Sequence, residues 1–208
     1  MSAVRPPLWI KVCGLRSPDA VAAAVAAGVD ALGFVFHSDS PRNLSADAAR
    51  GLAQDVPAGI DKVAVFLHPS QALLDEALDA LQPEWVQTDA ADLLALRLPA
   101  GQRVLPVLRT GEPGRDDDAL PARFLLESGR SGAGERADWS QAAAWAGRGE
   151  LILAGGLDPD NVAAAIGRVR PFGVDVSSGV ERDRGQKDPA LIRNFVNAAR
   201  AAHAQFAT

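Results

Sequence analysis

Residues 150–181 read ELILAGGLDPDNVAAAIGRVRPFGVDVSSGVE, and the fold turns on this stretch. Its first apolar run, 151–154, stops at Gly155-Gly156 and is too short for a helix, so it reads as a buried strand. Residues 159–169 then place apolar side chains at helical spacing, with Asp158 positioned to cap them. A second short run, 173–176, stops at Ser177-Ser178-Gly179. Strand, helix and strand with tight connections make one right-handed βαβ unit, whose strands lie parallel.

The unit repeats toward both ends of the chain. Strands are expected at 9–13, 31–36, 62–67, 84–87, 103–108 and 123–126. Between them, Ser17-Pro18 opens a helix that Gly28 ends, Ser45 caps one that stops before Pro57, and 70–81, 90–96 and 139–146 carry helical spacing. A last helix spans 189–205, while 110–121 is rich in Gly, Pro and Asp and holds one helical turn at most. Eight strands and seven convincing helices predict a single α/β domain, residues 1–208. Its architecture is a (β/α)8 TIM barrel with the fifth helix short or missing. At 208 residues the chain is short against the ~250 typical of that fold, and the lost helix and tight loops absorb the difference. No Gly-x-Gly-x-x-Gly follows the first strand, which counts against a dinucleotide-binding sheet.

Composition narrows the partners. An apolar content of 48% supports a substantial core, and 21 basic against 26 acidic residues leave a net charge of -5. That balance offers no footprint for nucleic acid or an anionic membrane. Cys13 is the only cysteine, so neither an intramolecular disulfide nor a cysteine-based zinc cluster can form. His37, His68 and His203 stand far apart in sequence and show no ligand spacing, so no metal is expected. The first eight residues lack a signal-peptide core, and the longest apolar run, 21–29, cannot span a bilayer. The expected address is the cytoplasm.

Barrels of this kind place their chemistry at the carboxyl ends of the strands and in the loops that follow. The polar residues there include Lys11, Cys13, Arg42, Gln87, Asp89, Arg109, Glu127 and Asp175. Gly155-Gly156 and Ser177-Ser178-Gly179 follow the seventh and eighth strands, where such barrels often hold phosphate on backbone N–H groups; alternatively the glycines only make tight turns. Strand alternation puts Lys11 and Cys13 on one face. A neighbouring ammonium would favour the thiolate and suit Cys13 to act as a base, while Lys11 could equally pair with Asp175. Glu127 ends an apolar strand, where a raised pKa would suit a general acid, or it is a solvated loop residue. Arg42 could grip a carboxylate with two hydrogen bonds, or lie on the surface.

Five runs carry a resemblance. They are Ile10-Lys11-Val12-Cys13-Gly14-Leu15, Gly33-Phe34-Val35-Phe36 with Ser40-Pro41-Arg42, Leu153-Ala154-Gly155-Gly156-Leu157, and Pro171 through Glu181 followed by Gly185 and Lys187-Asp188. In order and spacing they resemble the phosphoribosylanthranilate isomerase family of tryptophan biosynthesis, a phosphate-binding (β/α)8 barrel. The resemblance implies an acid–base Amadori rearrangement of N-(5-phosphoribosyl)anthranilate, with no metal or organic cofactor. It implies Cys13 as general base, Glu127 at the place of the family's acidic aspartate, and Arg42 on the anthranilate carboxylate. Gly155, Gly156, Ser177, Ser178 and Gly179 would hold the phosphate, supported by Lys11 and Asp175. The implied partner is a small phosphorylated substrate, with the chain a monomer or homodimer. Three places depart from the family pattern: Glu127 is one methylene longer, Gln87-Thr88-Asp89-Ala90 lacks a histidine, and 131–135 lacks a Thr and a Lys. Two other readings remain open at this point, a relative using another phosphorylated aminosugar and a non-catalytic binder of a phosphate ligand.

Overall fold

The computed structural model describes residues 7–110, 120–128 and 138–206. Among these, parallel strands β1 (Trp9–Cys13), β2 (Ala31–Phe36), β3 (Asp61–Phe66), β4 (Trp85–Asp89), β5 (Arg103–Arg109), β6 (Arg123–Glu127), β7 (Glu150–Leu153) and β8 (Gly173–Val176) pair in chain order. The barrel closes where β8 pairs with β1, with Lys11 opposite Asp175. Helices α1 (Pro18–Ala27), α2 (Ala46–Ala53), α3 (Gln71–Leu81), α4 (Trp139–Trp145), α5 (Val162–Val169) and α6 (Pro189–Ala204) are the α-helices of the described residues. Strand β2 turns one face to the helix layer and the other to the barrel interior, so it is buried at every position and reads as an unbroken apolar run.

Serines start three of the helices, Ser17 and Ser45 as expected and Ser70 as a cap rather than the first helical residue. The Ser17, Ser45 and Ser70 hydroxyls accept from the backbone N–H groups of Ala20, Ala48 and Leu73, and Gly28 ends α1 in the left-handed region at φ 78°. Asp188 caps α6 by accepting from Ala190 and Leu191. The largest apolar cluster, including Phe34, Phe124, Phe195 and Leu74, lies between barrel and helices. A smaller one, Ala31, Val63, Leu105, Leu125 and Ile152 among it, fills the barrel interior. At the amino end of the strands, Arg103 and Arg123 lie 4.4 and 4.8 Å from the centre of the Trp85 ring, whose Nε1 donates to Asp61 at 2.7 Å. This end of the barrel is therefore plugged by packed cations and aromatics.

Four expectations need correction. Residues 90–96 do not form an α-helix; only a 3-10 turn, Asp92–Leu94, follows β4, because its side chains find little core to cover and Leu94 is 90% exposed. The α5 helix begins at Val162, not at 159. Asp158 accepts from the N–H groups of Asp160 and Asn161, and this tight turn delays the helix. Six α-helices, rather than seven, occur among the described residues. After β8 a 3-10 turn, Ser178–Val180, leads into a small antiparallel hairpin, β9 (Glu181–Asp183) and β10 (Gln186–Lys187), which had not been expected. The fifth-helix prediction falls largely on 111–119 and the loop at 131–135 on 129–137, both outside the described residues. Among the described residues no helix is long and apolar enough to cross a membrane.

Candidate active site

At the carboxyl end of β1 the alternation of the strand turns Lys11 and Cys13 inward. Both are buried, and Lys11 Nζ lies 2.8 Å from Asp175 Oδ1 on β8. The ammonium also acts electrostatically on the neighbouring Cys13 thiol. Burial alone would pull the Lys11 ammonium down, but Asp175 and Cys13 outweigh it and hold it above its ordinary value. For Cys13 the balance goes the other way. Burial pushes the thiol above its ordinary value, and Lys11 and Lys187 oppose this without reversing it. Lys11 thus favours the thiolate as expected, but burial outweighs it, and the pair of Lys11 with Asp175 is present as well. Gly33 makes room for the group: a Cβ there would stand 2.9 Å from Cys13 Sγ and 3.1 Å from Lys11 Nζ.

Arg42 follows β2 and is 6% exposed, which rules out the surface reading. Its Nε and Nη2 donate to Glu181 Oε1 and Oε2 at 2.7 and 2.8 Å, so its side edge already holds a carboxylate from the hairpin. Lys187 Nζ donates to Glu181 Oε1 at 2.7 Å and to the Ser177 carbonyl at 3.0 Å, and the Gly185 N–H reaches Glu181 Oε2 at 3.0 Å. Burial opposes ionisation of Glu181, yet Arg42, Lys187 and the Gly185 amide hold its carboxyl down at about 2. Burial pushes the Lys187 ammonium below its ordinary value.

Glu127 ends β6 facing a guanidinium rather than the apolar wall expected of it. Arg109 Nη1 lies 3.5 Å from Glu127 Oε2, while Arg109 Nη2 donates to Asp89 Oδ1 at 2.5 Å. The solvated alternative also fails, since the Glu127 side chain is only 17% exposed. His68, Asp89 and Asp92 bring ligand-type atoms within 4.8 Å of one another at the rim. Their donors are already engaged, His68 Nδ1 with Asp92 at 2.9 Å and Asp89 with Arg109, and the group reads as an ion-pair network. Gln87 is 6% exposed, and its amide oxygen has no hydrogen-bond partner among the described residues.

The two glycine loops lie against each other. Gly155 and Gly156 take φ of 85° and 63°, a run open to glycine and strained for other residues. Gly179 packs on the other loop so closely that a Cβ would fall 2.0 Å from the Leu157 carbonyl oxygen. Ser177 Oγ donates to the Cys13 carbonyl at 3.1 Å, which ties this loop to the end of β1.

Cys13, Arg42, Gln87, Glu127, Asp175 and Ser177 all line one cleft, which holds about 920 Å³ of space counting its open mouth. Its floor is apolar, with Val65, Val107 and Leu125. Lys11 is fully buried, and of the residues expected to hold phosphate only Ser177 lines the cleft; Gly155, Gly156, Ser178 and Gly179 do not. Sequence reasoning gave no role to Glu181 or Lys187, whose hairpin strands are too short to show a period. Gln87, Asp89 and Arg109 had been noted at the rim without a role; their shared inward face was the available signal.

Residues 10–198 match the family model described as N-(5'phosphoribosyl)anthranilate (PRA) isomerase. A relative named N-(5'-phosphoribosyl)anthranilate isomerase, from Geobacter sp. (strain M21), is 37% identical, covering 92% of this chain and 97% of its own. The solved structure of TrpF from Jonesia denitrificans is 36% identical with a TM-score of 0.77, covering 94% of this chain and 98% of that one. A phosphoribosyl anthranilate isomerase solved in complex with reduced 1-(o-carboxyphenylamino)-1-deoxyribulose 5-phosphate is 28% identical. Its TM-score is 0.74, and the match covers 93% and 99% of the two chains.

Proposed function

The chain belongs to the N-(5'-phosphoribosyl)anthranilate isomerase family, and from that membership we propose that it carries out the family's aldose–ketose isomerisation in tryptophan biosynthesis. The substrate is N-(5-phosphoribosyl)anthranilate and the product 1-(2-carboxyphenylamino)-1-deoxyribulose 5-phosphate. The observation that carries the reading is the meeting of a thiol, a carboxyl and a guanidinium, those of Cys13, Glu127 and Arg42, in one cleft at the carboxyl end of the barrel.

Glu127 gives a proton to the ribose ring oxygen, and the ring opens to a protonated Schiff base. Cys13 takes the proton from C2, and the enolamine that forms tautomerises to the ketone. Arg42 holds the anthranilate carboxylate, and the Gln87 amide meets a hydroxyl of the sugar. The loops carrying Gly155-Gly156 and Ser177-Ser178-Gly179 receive the phosphate on their backbone N–H groups. Lys11 and Asp175 act from behind by fixing Cys13. Arg109, anchored by Asp89, sets the direction of the Glu127 carboxyl.

The test generates the substrate in situ and follows its loss on adding purified protein. Cys13→Ser and Glu127→Gln are each expected to lose at least a hundredfold in kcat, and Arg42→Ala to act mainly on KM. Full activity in Glu127→Gln removes the acid assignment. Absence of turnover with phosphate-ligand binding retained replaces the whole reading with that of a binder.

A further inference from the structure

The Arg42 guanidinium carries five N–H donors on a planar fork, which can meet a carboxylate along its side edge or its end. Glu181 takes the side edge through Nε and Nη2 at 2.7 and 2.8 Å. Among the described residues no hydrogen bond takes Nη1 or the second Nη2 hydrogen, and Arg42 lines the cleft. Glu181 is itself held at both oxygens, by Lys187 and by the Gly185 N–H. The side chains of Arg42, Glu181 and Lys187 are 7%, 5% and 1% exposed, so water does little to screen them.

Both ends of Arg42 are fixed. Its stem lies on Gly14, where a Cβ would stand 2.5 Å from the arginine Cδ. Its loop lies on the hairpin, where Gly185 adopts φ 82° and a Cβ would fall 2.7 Å from the Pro41 carbonyl. The charges also matter. Two cations, Arg42 and Lys187, surround one anion, Glu181, so the cluster keeps one positive charge in excess, the complement of a single carboxylate.

We infer that Glu181 is a positioning residue for recognition of the substrate's carboxylate: it occupies the side edge of Arg42 and presents the guanidinium end-on to the anthranilate ring. This rests on the carboxylate role given to Arg42 above. A guanidinium fixed in advance binds without first ordering a flexible side chain. A substrate carboxylate that displaced Glu181 would instead take from a buried anion both of its Arg42 hydrogen bonds, which is unfavourable.

The test compares two unreactive ligands made by reductive amination of ribose 5-phosphate, one with anthranilate and one with aniline. They differ by the carboxylate alone, and calorimetry gives the dissociation constant of each. The intact protein is expected to bind the anthranilate compound at least tenfold more tightly. Glu181→Gln is expected to shrink that preference at least threefold while the aniline compound binds within twofold of normal. A merely structural role would weaken both ligands together, and that result overturns the inference. So does an unchanged preference, or tighter binding of the anthranilate compound as expected if Glu181 were a competitor.

Arg42→Ala separates the two levels. If it leaves the preference intact, the carboxylate role of Arg42 fails and this inference with it. If it removes the preference while Glu181→Gln does not, only the role of Glu181 falls. Should Glu181→Gln not fold, Glu181→Asp, which keeps the charge but shortens the reach, is put through the same comparison and judged by the same outcomes.

Discussion

Cys13 and Lys11 stand two residues apart on β1, yet their ionisation is set by different neighbours. Lys11 is matched by Asp175, whereas the thiol is raised by its own burial. With Cys13 as the base and Glu127 as the acid, the reacting form carries a thiolate beside a protonated carboxyl, so the two ionisations offset each other. For the intact protein kcat/KM is expected to stay level across neutral pH and to fall only above the ~8.5 of an ordinary thiol. In Glu127→Gln the residual rate should instead climb about tenfold per pH unit through neutral pH, because only the thiol still titrates. A level residual rate in that variant would show that another group, or a thiolate already formed, is doing the work. The position of Cys13 was readable from alternation and the end of a strand. The direction of its shift was not, since it depends on how burial compares with a nearby ammonium, and sequence carries no measure of either. Glu127 shows the same limit: its apolar flanks in sequence pointed to an apolar wall, but Arg109 comes from the next strand over.

At the scale of elements, the hairpin after β8 makes stability depend on pH through Glu181. Glu181 is held at about 2 in the folded chain against an ordinary 4.5. The stabilisation is therefore fully present above about pH 4.5 and is lost as the pH falls through about 2. Its size is on the order of 3 kcal/mol from the usual conversion of pKa difference to free energy. Urea unfolding between pH 2.5 and 6 should show this dependence in the intact protein and a flatter acid limb in Glu181→Gln. Parallel limbs in the two proteins would place the acid sensitivity elsewhere. Caps of the kind formed by Ser17 and Ser45 were legible because one hydroxyl before a periodic run is a local signal. The hairpin was not, since two strands of three and two residues leave no period to detect. The late start of α5 was hidden for a related reason: Pro159 and Asp160 suit a first helical turn and an Asp158-capped bend equally well.

At the scale of the whole molecule the barrel has two chemically distinct ends. Trp85, Arg103 and Arg123 close the amino end, while the reacting groups gather at the other. Trp85→Ala should then cost about 3–5 kcal/mol of stability, as large-to-small changes of buried aromatics do. It should leave KM and kcat within twofold at a temperature where the variant is folded. Chemical unfolding and steady-state kinetics check the two halves separately, and a large loss of activity in the folded variant would mean that the ends communicate. Strand order and barrel class were legible in the alternation of short apolar runs with helical segments. The pairing of Lys11 with Asp175 was open to the sequence as one of two readings, but the residue-by-residue register of closure was not, because pairing between the first and last strands leaves no local trace.

The contact between Gly179 and the Leu157 carbonyl bears on how such barrels can be recombined. The turns after β7 and β8 are shaped to one another at a distance that admits no Cβ, so neither is an independent module. An exchange of catalytic halves or quarters between related barrels would have to carry both turns across the same crossover. A splice made between them would join two surfaces never selected for fit, and the damage would fall first on the site proposed for the phosphate rather than on the scaffold.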